Sequence, residues 1–384
     1  MLTHLMVKKS NVIESIECHV IKIGDRDDGQ TYYPGTDYYP TDVCVYSSKF
    51  EQTLVKVNTT SGLVGWGEVQ APVVPEVSMK LIEKLLGPMV LGEDPRDVEE
   101  IWDRMYESMN VRGHYQGFMI DAMAGLDIAL WDLKGKILGE PVSALLGGRR
   151  RAELEAYVTC KPEDSQGYLD EGFHGVKIGY VTDFKDLDQI DLSGCDPSSL
   201  MIDHHWSMGS AHEAIRLGRK LEEIGVGFVE APLPPEDING AARVTDALDV
   251  PVALGESLRT THDFQVRVER DSFDIAQPDI NRTGLTEGMR IANLMDAHGR
   301  PVAPHIGGSL TIAMVATWHL SSAVSNFLIQ EHQPGRFTAS NEYLESPIEI
   351  QKGQLPVPED PGLGIEIIES RLQPHIQESI VIRA

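Results

Sequence analysis

Three observations predict an α/β protein built as a (β/α)8-type barrel with a second, α+β domain. From Leu154 onward, apolar runs of strand length recur near 154–159, 174–178, 199–203, 226–230, 251–255, 273–277, 301–304 and 327–330. Amphipathic helical stretches such as AHEAIRLGRKLEEIG and LTEGMRIANLMDAHG lie between them. Strands that alternate with helices form a parallel sheet, and eight of them close into a barrel. Third, successive runs end abruptly in a carboxylate: Asp203 after Leu-Met-Ile, Glu230 after Gly-Phe-Val, and Glu256 after Val-Ala-Leu-Gly. These acids stand 27 and 26 residues apart, close to the roughly 30 residues of one strand-helix repeat. Parallel neighbouring strands would place all three on one rim.

Before Leu154 the texture is different. Residues 14–23, 41–47 and 52–58 alternate apolar and polar as half-buried strands do. Between the first two lies DRDDGQTYYPGTDYYP, with Tyr32, Tyr33, Tyr38 and Tyr39, whose composition predicts a loop, either a plain surface connection or a lid over a small ligand. A turn, a short strand around Val64 to Glu68 and a second, Pro-rich loop over 68–76 follow. Helices are predicted over VSMKLIEKLLGPMVL and PRDVEEIWDRMYESM, and the longest spans Gly117 to Gly139. Its small residues Ala122, Ala124, Gly125 and Ala129 predict close packing, and Gly139 with Pro141 stops it. After Glu331 a tail rich in Pro and Gly is expected to return to the first domain. The organisation predicted is an α+β domain over 1–145, a barrel over 146–345 and a returning segment over 346–384.

Composition narrows the function. A chain of 384 residues, 41% hydrophobic and 24% charged, is an ordinary globular protein. Its net charge of −26, from 59 acids against 33 bases, disfavours nucleic acid and anionic lipid as partners. An anionic ligand would need local cations. No apolar run approaches the ~20 residues of a membrane span, and the first residues lack the apolar core of a signal peptide. Cys18, Cys44, Cys160 and Cys195 are scattered without a close pair. A reducing cytoplasm is therefore expected.

Carboxylates gathered on one rim raise each other's pKa unless a cation holds them, and oxygen donors suit a hard divalent ion such as Mg²⁺. Asp203, Glu230 and Glu256 are the predicted ligands. Lys177 lies within the apolar run FHGVKIGYV. Desolvation beside a cation would lower its pKa toward that of a general base. Asp279 and His305 each follow an apolar run, on what would be adjacent strands. A carboxylate on one ring nitrogen fixes the tautomer and makes the other nitrogen the better base. Glu331 ends the last run and, if protonated or hydrogen-bonded, would donate to a substrate oxygen. His205, two residues past Asp203, shares its side if the strand continues, and would serve as the acid for a leaving hydroxyl. His204 should point away, and His212, His262 and His332 read as surface or helical residues.

The order Lys177 in VKIGY, Asp203, Glu230 followed by Ala-Pro, Glu256 in GES, Asp279 in QPD, His305 in APH, and Glu331 resembles the mandelate racemase branch of the enolase superfamily. GLVGWGEV and GLDIALWDLKGK with GEPVSALLGG are similar to that family's capping domain and first barrel helix. His205 in Asp-x-His and the closing FLIQEH look nearest to its sugar-acid dehydratases. The resemblance implies a modified (β/α)7β barrel under an α+β capping domain. It also implies Mg²⁺ and abstraction of the proton α to a carboxylate. The enediolate then loses water to a 2-keto-3-deoxy sugar acid, or is epimerised or cycloisomerised. A sugar-acid substrate and a homo-oligomer are expected. The sequence departs from the family at Gly175, where Lys-x-Lys is usual, and at Gly284-Leu285, where Gly-Gly is usual.

Overall fold

The computed structural model describes residues 11–24, 30–187 and 196–383. The start of the chain, residues 25–29 of the first loop and Cys195 lie outside them. Strand β1 (Ile13–Ile23) carries Ile13, Ile16, Cys18, Val20 and Ile21 into the core. A short hairpin follows, β2 (Tyr38–Pro40) with β3 (Val45–Ser47), and then β4 (Phe50–Thr59) and β5 (Val64–Val69). The segment expected as loop up to Pro40 thus ends in a strand. Its tyrosines pack on one another, Tyr39 stacking on Tyr46 and meeting Tyr32 edge-on. β1, β4 and β5 form an antiparallel sheet.

The helix Phe118–Leu138 lies against this sheet and is buried nearly all round. Its small residues serve the predicted purpose: a Cβ on Gly67 of β5 would stand 1.9 Å from the Gly125 carbonyl, so backbone meets backbone here. Three buried acids of the helix tie it to its surroundings. Asp121 takes a two-pronged ion pair from Arg259. Asp127 accepts from the Thr286 N–H and hydroxyl. Asp132 accepts from the backbone N–H groups of Trp66 and Leu363. The helix Ile280–Ala297 kinks at Gly284, directly against Asp127.

Seven parallel strands curl in sequence: β6 (Glu153–Cys160), β7 (Gly175–Gly179), β8 (Leu200–Asp203), β9 (Phe228–Glu230), β10 (Val252–Leu254), β11 (Ile275–Ala276) and β12 (Gln330–His332), with β12 paired to β6. The run predicted as a strand at 301–304 is no regular strand. Pro301 and Pro304 lack the N–H a ladder needs. Val302 alone bridges to Ala276 on one side and Phe327 on the other, which closes the ring. Inside the barrel sit Tyr157, Met201, Phe228, Ala253, Ile275, Ala303 and Ile329, and the alternate residues pack outward against helices. β13 (Gln354–Pro356) pairs antiparallel with β6, and β14 (Ile376–Arg383) joins β1 as the fourth strand of the first sheet.

The first domain docks on the barrel where the strands end. Gln52 donates to the Gly308 carbonyl and accepts from Ala71 N–H, and Gln70 N–H donates to the Asn281 carbonyl at 3.1 Å. Loops beyond the carboxyl ends of barrel strands carry the chemistry in this architecture. No helix among the described residues is long and apolar enough to cross a membrane.

Candidate active site

Parallel register brings the predicted acids together. Asp203 faces Glu230 across β8 and β9, and Glu230 faces Ala253 on β10, beyond which comes Glu256. Glu230 takes both oxygens to the Lys177 ammonium, at 2.8 and 2.9 Å, and accepts from Gln277 at 2.7 Å. Asp203 Oδ2 lies 3.6 Å from Lys177 and 3.2 Å from His205 Nε2. Burial, only partly offset by Lys177, pushes Asp203 up to about 6 and Glu230 up to about 7, with neighbouring carboxylates adding to the rise. Burial would also raise Glu256, but the His305 imidazolium outweighs it and brings that carboxyl down to about 2.

Glu230, Glu256 and His305 each offer a donor atom within 4.8 Å of the others. This group overlaps the predicted Asp203, Glu230 and Glu256 but is not identical to it. Asp203 is turned toward Lys177 and His205, and His305 leans on Glu256. The donors are hard oxygens and one imidazole, and two adjoining buried carboxyls are held above their ordinary range. A divalent cation fits such a place in preference to protons.

Asp279 and His305 form the expected pair. Asp279 Oδ1 caps the following helix by accepting from Asn281 N–H, and Oδ2 accepts from His305 Nδ1 at 2.9 Å. The ring is thereby fixed with Nε2 toward the rim, 2.5 Å from Glu256 and 3.8 Å from Glu331. Burial would depress this imidazole, but Glu256 and Glu331 outweigh it and hold its pKa well above the usual histidine value.

In two places neighbouring charges oppose the effect of burial. Burial alone would lower Lys177, as predicted, but Glu230, Glu331 and Asp203 surround its ammonium and raise its pKa well above the lysine value. Glu331 was expected to donate. Burial raises it, yet Lys177 and His305 bring its pKa below normal, and it accepts from Thr159 Oγ1 and from Ile306 N–H at 2.9 Å. Its oxygens stand 3.1 Å from Lys177 Nζ and 3.8 Å from His305 Nε2, so it positions both groups.

His205 reaches the site by another route than the strand period. β8 ends at Asp203, and the chain turns through left-handed conformations at His205 (φ 47°) and Trp206 (φ 55°). His205 N–H then donates to Asp203 Oδ1 at 2.8 Å. Its ring stacks on Tyr180, centroids 4.0 Å apart, and Tyr180 meets Tyr46 of the first domain, oxygen to oxygen, at 2.8 Å. A side chain on Gly179 would collide with this ring, 2.7 Å from Nε2. His204 points away as expected: it is buried against the Val181 carbonyl, and burial lowers its pKa to about 4. His212 and His262 are exposed helical residues. His332 is not: it is buried in β12, stacked on Phe173, because it faces outward from the barrel into the helical layer. At Gly175 a Cβ would lie 2.5 Å from the Ser199 carbonyl, so backbone occupies the place of a second lysine.

Lys177, Asp203, His205, Glu256, His305 and Glu331 line a cavity of about 270 Å³ between the rim and the first domain. Sequence reasoning missed several of its residues. Thr159 was reachable, since it lies on β6 two residues from the inward-facing Tyr157. Tyr46, Lys49, Arg282 and Arg336 carried no local signal.

The chain's likenesses agree with this geometry. The enolase C-terminal domain-like family matches residues 163–371, and the mandelate racemase / muconate lactonizing enzyme N-terminal domain matches residues 33–147. The chain belongs to the enolase superfamily, in its mandelate racemase-like branch. Arabinonate dehydratase of Saccharolobus solfataricus is 32% identical over 335 residues, 83% of this chain and 88% of that protein. D-galactarolactone cycloisomerase of Agrobacterium fabrum is 31% identical over 343 residues, 82% of this chain and 88% of that one. Among solved structures, an enolase-superfamily member from Agrobacterium tumefaciens superposes with a TM-score of 0.88 at 29% identity, covering 97% of this chain and all of the other. This superfamily member therefore shares both domains with relatives named as dehydratases and as cycloisomerases.

Proposed function

We propose that the protein is a Mg²⁺-dependent sugar-acid dehydratase. The observation that carries this reading is one rim that holds buried carboxylates in register beside an oriented Asp279–His305 pair and a buried lysine. Asp203, Glu230 and Glu256 would hold the ion. Bound there, Mg²⁺ supplies a Lewis acid for negative charge developing on the substrate carboxylate.

The chain's own groups do the rest. Asp279 holds Nδ1–H of His305 and leaves Nε2 facing the rim, where it would take the α-proton. Lys177 approaches from a different strand and adds positive charge beside the forming enediolate. Glu331 holds Lys177 and His305 in place. His205, stacked on Tyr180 above Asp203, is the acid that protonates the leaving 3-hydroxyl. Relatives of near-equal identity carry the dehydratase and cycloisomerase names, so isomerisation through the same enediolate is the second reading.

A panel of sugar acids in D₂O, followed by proton NMR with and without Mg²⁺, tests this. The expected result is Mg²⁺-dependent loss of one acid's α-proton with growth of a 2-keto-3-deoxy product. Exchange without a keto product would replace dehydration by isomerisation. No exchange with any acid would reduce the protein to a binder. His205→Asn should keep exchange and slow the keto product by about 10²- to 10⁴-fold.

A further inference from the structure

We propose that Tyr46 and Tyr180 are positioning residues for His205, so that the β2–β3 hairpin of the first domain sets how the acid is presented to the leaving 3-hydroxyl. This rests on the dehydratase reading above and deepens it.

Backbone conformation marks the place. Among the described residues seven that are not glycine have a positive φ, and four of them, Tyr180, His205, Trp206 and Ala231, stand directly after β7, β8 and β9. Such conformations are costly and persist where the surroundings hold them. Here the surroundings converge on His205. Its ring lies parallel to Tyr180, centroids 4.0 Å and planes 9° apart, and meets Trp206 edge-on at 6.3 Å. Gly179 makes room for it, since a Cβ there would stand 2.7 Å from Nε2.

Tyr180 is 47% exposed, so burial alone does not fix it. Its hydroxyl meets that of Tyr46 at 2.8 Å, across the join between barrel and first domain. Tyr46 is held in turn by its hairpin. Its ring stacks on Tyr39, and the adjacent Ser47 donates at 2.6 Å to the buried Glu51, which also accepts from the Tyr38 hydroxyl at 3.1 Å. Hairpin, Tyr46, Tyr180 and His205 thus form one continuous series.

Asp203 is not a sufficient support for the ring, because its carboxylate is shared with Lys177 and is a proposed ligand of the ion. In the elimination the electron pair of the enediolate forms the C2–C3 double bond, the C3–O bond breaks, and the leaving oxygen takes the proton of His205 and departs as water. A misplacement of about 1 Å can cost about 10²-fold in such a step. Removal of the α-proton uses other groups. Loosening the two tyrosines should therefore separate the two steps.

The test follows α-proton exchange and growth of the keto product separately, for the Mg²⁺-loaded protein with arabinonate, xylonate, galactonate and gluconate in D₂O. Tyr180→Leu should lower kcat for the keto product about 10- to 100-fold. Tyr46→Phe and Tyr180→Phe should each lower it about 3- to 10-fold, the size of one neutral hydrogen bond, and the double Phe variant no further, since both remove the same bond. Exchange and KM should move several-fold less. Equal losses of exchange and product, or a change in KM alone, overturn the proposal. The ring proton on Cε1 of His205, identified through His205→Asn, gives a readout apart from turnover: the Tyr180 ring should shift it upfield, and Tyr180→Leu should abolish that shift. A resonance that does not respond to Tyr180→Leu also overturns the proposal. If His205→Asn separates product from exchange while the tyrosine variants do not, only this inference falls. If His205→Asn does not separate them, or none of the four acids exchanges, the assignment of the acid falls and takes this inference with it.

Discussion

Glu68 and Glu230 are both fully buried, and burial pushes both up to about 7, yet one belongs to the scaffold and the other to the site. Glu68 sits at the start of the helix Thr311–Ala323. It accepts from Leu310 N–H at 2.6 Å, Ala313 N–H at 3.1 Å and Asn281 Nδ2 at 3.0 Å. Neutral donors fill its lone pairs, and a helix N-terminus favours its charge. Glu230 has Lys177 and Gln277 but also faces Asp203, Glu331 and Glu256. A shifted carboxyl does not by itself mark a site. What separates the two is the company: a set of neutral donors makes an acid structural, whereas like charges in register require a cation.

The sharpest way to break this comparison is Glu230→Gln. Turnover should fall by at least about 10³-fold and metal affinity with it, while thermal unfolding moves little because a like-charge neighbour is removed. A folded variant with wild-type metal affinity in calorimetry would place Glu230 with Glu68. Asp279→Asn and His305→Asn come next, each expected to lower α-proton exchange by about 10²- to 10⁴-fold. The double variant should lose no more than the worse single, since the pair acts as a unit. Additive losses would separate them.

Glu68→Gln reverses the pattern. An amide N–H₂ would meet backbone donors, costing about 2–5 kcal/mol of stability in urea unfolding and leaving metal affinity unchanged. Loss of metal affinity without loss of stability would overturn the division between the two acids.

The smallest effect concerns a histidine of the scaffold. His319 is buried between Ser143 N–H, which donates to Nδ1 at 3.2 Å, and the Leu363 carbonyl, which accepts from Nε2 at 3.0 Å. Both roles require the neutral ring, and burial lowers its pKa to about 4. Unfolded, it titrates near 6.5. Between those values the unfolded chain binds more protons, so stability present at pH 7 is lost as pH falls from about 6.5 toward 4. At pH 4.5 the loss from this group is about 2–3 kcal/mol. His319→Gln, which keeps an acceptor and a donor, should lose that much less between pH 7 and 4.5. Parallel losses in both proteins would assign the acid sensitivity to other groups.

Strand-end residues were legible because each is announced by its own neighbours. Leu-Met-Ile before Asp203 and Gly-Phe-Val before Glu230 are local patterns, and a regular repeat converts them into a shared rim. The Asp279–His305 pair was legible for the same reason, as adjacent strands put equivalent positions side by side. The run at 301–304 was misread as a strand because an apolar run outweighed its two prolines. His332 was misread because a histidine after an acid at a strand end looks exposed, although alternation turns it into the helical layer.

The sequence by itself therefore determined the barrel, the order of its rim residues and the excess of acid. Period and spacing are properties of short stretches. Only the tertiary structure gathered Asp203, Glu230 and Glu331 around Lys177 and set Lys177 and His305 beside Glu331, because these partners stand 26 to 154 positions apart along the chain. It also decided that Tyr46 meets Tyr180 beside His205, and that Lys49, Arg282 and Arg336 share a cavity. Contacts between two domains leave no trace in the periodicity of either, and electrostatics follows distance in space rather than along the chain.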